Sequence, residues 1–150
     1  MTNTTKTTKT VSEKTVQEFT KGWNTANPEK IADLFTEDAT YQDSGLPAAI
    51  KGRTAIKTYL QQQYATFPDS KIALQTAIVQ GNRAAATGSW TGTNKGPFPT
   101  ADGKSIPATN RKVSGEWAAF VTFDQKGKAK AFKLYSDNLA VFQQLGLAPQ

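Results

Sequence analysis

The hydrophobic period of this chain changes once, near Pro68, and that change leaves few architectures open to it. Before it, apolar residues recur at helical spacing. Val16, Phe19 and Trp23 fall at i, i+3 and i+7 after Ser12, a candidate N-cap. Asn27-Pro28-Glu29 opens a second helix with proline at its first position, and Ile31, Leu34 and Phe35 form its inner face. A third helix over about residues 53–65 buries Ile56, Tyr59, Leu60 and Tyr64. One short strand, residues 39–43, interrupts the helical half and puts Tyr41 and Asp43 on the same face.

After Pro68 the period is two. Ile72, Leu74, Thr76 and Ile78 alternate, Gly81-Asn82 makes a tight turn, and residues 83–93 return with Ala84, Ala86, Gly88 and Trp90 on one face. A loop begins at Gly96-Pro97-Phe98-Pro99 and continues through Asp102-Gly103. A long strand over residues 112–123 faces Val113, Trp117, Ala119, Val121 and Phe123 one way; Glu116 has the opposite parity. Asp124-Gln125-Lys126-Gly127 turns the chain into a last strand. That strand passes through Ser136-Asp137-Asn138 into a short apolar helix ending at Gly146. Helices first and meandering strands afterwards argue α+β, with helices covering one face of an antiparallel sheet. Gly88, Gly92 and Gly115 are the expected places for bends or bulges.

Composition narrows the chemistry. The chain has no cysteine and no histidine, which rules out disulfides, thiol nucleophiles, Ser-His triads and histidine bases, and leaves no zinc site of the usual kind. Proton chemistry here falls to carboxylates, tyrosines, lysines or water. Eighteen basic against 12 acidic residues give a net charge of +6, but the lysines are scattered without interleaved arginines and aromatics. That is a solvated surface, and nucleic acid is not an expected partner. No apolar run approaches the roughly 20 residues of a membrane span, so a cytoplasmic protein without a membrane partner is expected. Residues 1–10 are almost all Thr, Lys and Asn and are expected to form a disordered tail, with residues 11–150 a single α+β domain. Gly103-Lys104-Ser105 lacks the upstream glycine and following helix of a phosphate loop, and Trp90 stands where the serine of a nucleophile elbow would be.

What remains is a set of polar and aromatic residues that a curved sheet could bring together. Lys133, Tyr135 and Asp137 lie two apart and share a strand face, giving an amine, a phenol and an acid in one row. Asp137, Tyr135 and Asp43 are the candidate catalytic groups; Trp23, Tyr41, Tyr59, Tyr64, Trp90 and Trp117 are the candidate ligand-binding residues. A carboxylate in an apolar cavity has its pKa raised by desolvation and can serve as acid or base near neutrality. Each candidate has a second reading. Asp137 directly precedes a helix and is a good N-cap, Asp43 directly precedes a turn, and the tryptophans are ordinary core residues.

Four stretches together resemble the SnoaL-like polyketide cyclase group of the nuclear-transport-factor-2-like superfamily. They are Leu34-Phe35-Thr36-Glu37-Asp38-Ala39 with Tyr41-Gln42-Asp43; Lys51-Gly52-Arg53; Gly96-Pro97-Phe98 leading to Ile106-Pro107-Ala108-Thr109-Asn110-Arg111-Lys112-Val113; and Gln143-Gln144-Leu145-Gly146. The resemblance spans about residues 12–147. It implies a conical α+β barrel: a curved antiparallel sheet wrapped around three N-terminal helices, a short C-terminal helix, a pocket at the open end, and a homodimer formed through the sheet. It also implies metal- and cofactor-independent acid–base chemistry of the cyclase, isomerase or lyase kind on a hydrophobic carbonyl compound, with an aspartate as acid/base. Other superfamily members only bind small molecules. Gln42 stands where relatives often carry a histidine, and Asp137 is the one carboxylate kept in the last strand.

Overall fold

The computed structural model describes residues 10–148, so all but one residue of the expected N-terminal tail lies outside the described residues. α1 (Glu13–Trp23) starts after Ser12, whose backbone N–H donates to Thr15 Oγ1 at 3.0 Å. α2 (Pro28–Ala32) is capped by Asn27, whose Oδ1 accepts from the N–H groups of Glu29 and Lys30. The helix ends earlier than its apolar spacing suggests. Leu34 lies beyond it, and Phe35 begins β1 (Phe35–Asp43). Phe35 is fully buried in either role, and burial periodicity alone does not separate a helix end from a strand start.

The two-residue β2 (Ile50–Lys51), absent from the sequence reading, pairs antiparallel with β1 and leads into α3 (Arg53–Thr66). Gly52 enters α3 at φ +90°, a conformation that favours glycine, and its N–H donates to the Ala39 carbonyl at 2.8 Å. Arg53 donates from Nε and Nη2 to the Phe35 carbonyl at 3.0 and 2.7 Å. Lys51-Gly52-Arg53 thus ties the start of α3 to both ends of the adjoining strand segment.

Beyond α3 come β3 (Lys71–Gln80) and β4 (Arg83–Thr93), and then a short hairpin of β5 (Phe98–Pro99) and β6 (Ser105–Ile106) where only a loop was expected. β7 (Lys112–Phe123), β8 (Ala129–Ser136) and α4 (Asn138–Leu145) complete the chain. The main sheet has the order β2-β1-β8-β7-β4-β3. Four of its pairings are antiparallel, but β1 and β8 run parallel, so the sheet is mixed rather than antiparallel throughout. It is curved around the N-terminal helices and does not close on itself.

Two details of register shape the inner face. β3 and β4 slip between Leu74 and Thr76, leaving Gln75 without a partner. The extra residue inverts the alternation: Ile72 and Leu74 face inward, then Ala77 and Val79 do, and Ile78 is left 65% exposed instead of sharing the face of Ile72. Gly88 lies opposite that slip, paired with Leu74 where the register shifts, and a Cβ there would meet the Ala73 carbonyl. Gly92 and Gly115 mark no bulge, because β4 and β7 pair in unbroken register from Arg83↔Thr122 to Thr93↔Lys112. Gly88 pairs with Trp117 and Gly115 with Trp90. A Cβ at Gly88 would come within 2.5 Å of the Trp117 ring, and one at Gly115 within 2.9 Å of Trp90 Nε1. The two glycines let the two indoles lie across neighbouring strands on the inner face.

Two side-chain amides fasten helices to strand backbone. Asn24 at the end of α1 both donates to and accepts from Ile72 on the edge strand β3. Gln144 in α4 accepts from Ser114 N–H and donates to Ser114 C=O, each at 2.9 Å, and covers the part of β7 that extends past β8. Leu145 beside it is buried, and Gly146 ends α4 at φ +74°. The long β4–β7 connection is organised by Asn94, fully buried, which accepts from Thr109 N–H and Oγ1 and donates to the Gly96 carbonyl.

Candidate active site

A cavity of about 870 Å³ lies between the inner face of the sheet and helices α1, α3 and α4. Period-two alternation on β4 and β7 supplies Trp90 and Trp117, α1 supplies Phe19 and Trp23, and α3 supplies Tyr59 and Tyr64. Tyr41 reaches it from β1, so all six aromatic residues singled out in the sequence line one space. Phe132 stacks on Tyr41 with ring centroids 5.0 Å apart and on Trp23 at 5.6 Å, closing the inner end.

Among the described residues, Asp43 is the only charged side chain that lines the cavity. It ends β1 two residues after Tyr41, on the inward side. Its two oxygens do different things. Oδ1 accepts from Gly45 N–H at 2.9 Å and holds the turn, while Oδ2 accepts from the Tyr59 hydroxyl at 3.3 Å inside the cavity. The turn reading of Asp43 is met by Oδ1, and Oδ2 is left to face the cavity.

The three tyrosines around it are held in the neutral form. Burial pushes Tyr41 well above the usual tyrosine range, with the neighbouring Tyr59 and Asp43 adding to the effect. Burial also raises Tyr59, reinforced by the charge of Asp43 and the hydrogen bond to it. Tyr64, whose hydroxyl donates to the Trp23 carbonyl at 2.9 Å, is pushed up to about 12 by burial. Among the described residues the Tyr41 hydroxyl makes no hydrogen bond, so its proton is available to a ligand.

Asp137 and Tyr135 are not brought to this cavity. Lys133, Tyr135 and Asp137 do share a face, but Phe132 and Leu134 are the residues of β8 that turn inward, so the row lies on the outer side. Tyr135 is 42% exposed, edge-on to Phe120, with Lys133 Nζ 5.4 Å from its ring centroid. Asp137 Oδ1 accepts from Ala140 N–H at 3.0 Å, the N-cap of α4. Glu116 is exposed on the same outer side, as its parity requires. Two polar residues that the sequence reading passed over, Ser136 and Asn138, do line the cavity. The parity of Phe132 and Leu134 carries the signal for Ser136. Nothing in the sequence marks Asn138, which enters because α4 folds back over the opening. The mouth is framed by Gly45-Leu46-Pro47, by Phe142 of α4 and by Phe98 of the hairpin, whose ring lies 5.6 Å from that of Phe142.

The model of the SnoaL-like domain matches residues 16–132, from the first turn of α1 to the middle of β8. The chain belongs to the SnoaL-like domain family. No curated protein matches it in sequence. Among solved structures, a candidate polyketide cyclase from Acidithiobacillus ferrooxidans is 24% identical with a TM-score of 0.73, covering 99% of this chain and 100% of its own. A candidate SnoaL-like polyketide cyclase from Jannaschia sp. CCS1 is 19% identical with a TM-score of 0.75, covering 91% of this chain and 92% of that one. A protein with the ketosteroid isomerase-like fold from Catenulispora acidiphila, solved with trimethylamine, is 20% identical with a TM-score of 0.74, covering 92% and 96%. At these identities the likeness is one of fold. Three of the stretches that carried the resemblance fasten the fold, through Gly52 and Arg53 on β1, Thr109 on Asn94, and Gln144 on β7, while the first ends in Tyr41 and Asp43 at the cavity.

Proposed function

We propose that this SnoaL-like protein is a small-molecule enzyme that performs acid–base chemistry on a hydrophobic carbonyl compound, using its own side chains and no metal or cofactor. The observation that carries the reading is Asp43, a lone carboxylate lining a largely aromatic cavity of about 870 Å³. In this reading Asp43 removes a proton from the carbon next to the carbonyl group and returns it elsewhere on the product. The Tyr59 hydroxyl holds Oδ2 and fixes the carboxylate's orientation. Tyr41, kept neutral by burial, donates to the oxygen on which negative charge develops. The aromatic walls exclude water and bind the apolar body of the substrate.

The test is proton exchange. A small apolar ketone such as 2-tetralone, incubated in D₂O with the protein, is expected to exchange its α-protons faster than in buffer, and Asp43→Asn is expected to lose about 100-fold or more of that acceleration. Full activity in a folded Asp43→Asn protein would overturn the assignment. The number of aromatic residues in the wall favours a second reading, a binding protein that holds an apolar ligand without turnover. Tight binding of such ketones with no exchange above buffer would select it.

We also infer a homodimer formed through the outer face of the sheet. Ile78 on β3 and Phe120 on β7, 65% and 57% exposed, flank Ala85 in one cross-strand row, and Tyr135 lies edge-on to Phe120.

A further inference from the structure

We propose that Asn138 is the donor that orients the ligand's oxygen opposite Asp43, an inference that rests on the carbonyl reading of the site. Three observations lead to it. First, Asn138 lines the cavity as the first residue of α4, immediately after the capping Asp137, so its backbone is held by the helix while its side chain is not used as the cap. Second, its amide is oriented: the Ser136 hydroxyl donates to Oδ1 at 3.4 Å, which turns Nδ2 the other way. Third, Nδ2 has no hydrogen-bond partner among the described residues, and it points to the rim shared with Asp43. A Cβ placed on Gly45 would lie 2.6 Å from Asn138 Nδ2 and 3.5 Å from Asp43 Oδ1, so the amide packs closely on Gly45 and lies beside Asp43 at the cavity rim.

The polar end of the cavity therefore presents an acceptor on one side and a donor on the other. A carbonyl oxygen fits the Nδ2 side, and the acidic C–H beside that carbonyl then falls toward the carboxylate. Asn138 is a ligand-orienting residue in this scheme. It carries no proton in the reaction, and because it is uncharged it adds no demand for an anionic ligand.

Two probes of matched shape test it: 2-acetylnaphthalene, which has a carbonyl oxygen, and 2-ethylnaphthalene, which lacks it. Equilibrium dialysis of the full chain is expected to show the wild-type protein binding the ketone about fivefold more tightly than the hydrocarbon, the effect of one uncharged hydrogen bond. Asn138→Ala is expected to lose most of that preference, the Tyr41 hydroxyl remaining as the other donor, with its affinity for the hydrocarbon unchanged. The hydrocarbon arm separates orientation from structure, because a role limited to holding α4 would weaken both probes together. Retention of the full ketone preference in Asn138→Ala, or parallel loss of both probes, would overturn the proposal. If the wild-type protein binds the two probes with no preference, Asn138 has no such role even where α-proton exchange depends on Asp43. If it binds neither and catalyses no exchange, the carbonyl reading itself fails, and this inference with it.

Discussion

Asp43 and Asp137 show how two residues of one type, each placed before a turn or a helix, end in different surroundings. Both candidates were visible in the sequence, and so were both bland readings of them. What separated them is the direction of β8. With Phe132 and Leu134 turned inward, Tyr135 is on the outer face, and Asp137 spends Oδ1 on the first turn of α4. Asp137→Ala is therefore expected to cost about 1 kcal/mol of stability, the usual worth of an N-cap, read as a lower Tm. The tyrosines make a second residue-scale prediction. Tyr64 ionises at 10.0 in its ordinary state and at about 12 in the folded protein, so above pH 10 the unfolded chain releases a proton that the folded one keeps. Stability is whole below pH 10 and falls as pH rises from 10 to about 12, with Tyr41 and Tyr59 acting in the same direction. Absorbance at 295 nm should show these phenols ionising together with unfolding. A smooth titration near pH 10 in a protein that stays folded would contradict the burial assigned to them.

At the scale of elements, α1, α3, β4, β7 and β8 were legible because caps, prolines and strict periods mark them. The misreadings have local causes. The β3 bulge at Gln75 inverts a face with no turn residue in β3 itself, its one sign being Gly88 on the facing strand, and α2 gives way to β1 inside one continuous apolar pattern. The parallel pairing of β1 with β8 joins segments some ninety residues apart, which no local pattern reports. Gln144 belongs to this scale too. It reads as a polar residue on a short helix, yet its amide takes the place of a neighbouring strand against Ser114. Gln144→Ala removes both hydrogen bonds and leaves the Ser114 N–H and C=O without those partners. A loss of about 1–3 kcal/mol is expected from denaturant unfolding. Because α4 carries Asn138, Val141 and Phe142 to the cavity, weaker binding of apolar ketones should accompany that loss. Unchanged stability would mean that α4 is held by its apolar side alone.

For the whole molecule, charge and shape are distributed unequally. The chain carries +6 overall, while among the described residues the cavity presents one carboxylate and no lysine or arginine. The outer face of the sheet is the other departure from a polar surface, and a dimer formed there should be broken by Phe120→Glu. Light scattering is expected to report a dimer for the wild-type chain and a monomer for the variant, and a wild-type monomer at high concentration would end that inference. In the proposed reaction, proton transfer belongs to Asp43 and not to Asp137. Its most direct measurement is α-proton exchange of 2-tetralone in D₂O, followed by NMR for the wild-type protein, Asp43→Asn and Asp137→Asn under identical conditions. Wild type and Asp137→Asn are expected to exchange alike, with Asp43→Asn slower by about 100-fold or more. Exchange that persists in Asp43→Asn and disappears in a folded Asp137→Asn would contradict it.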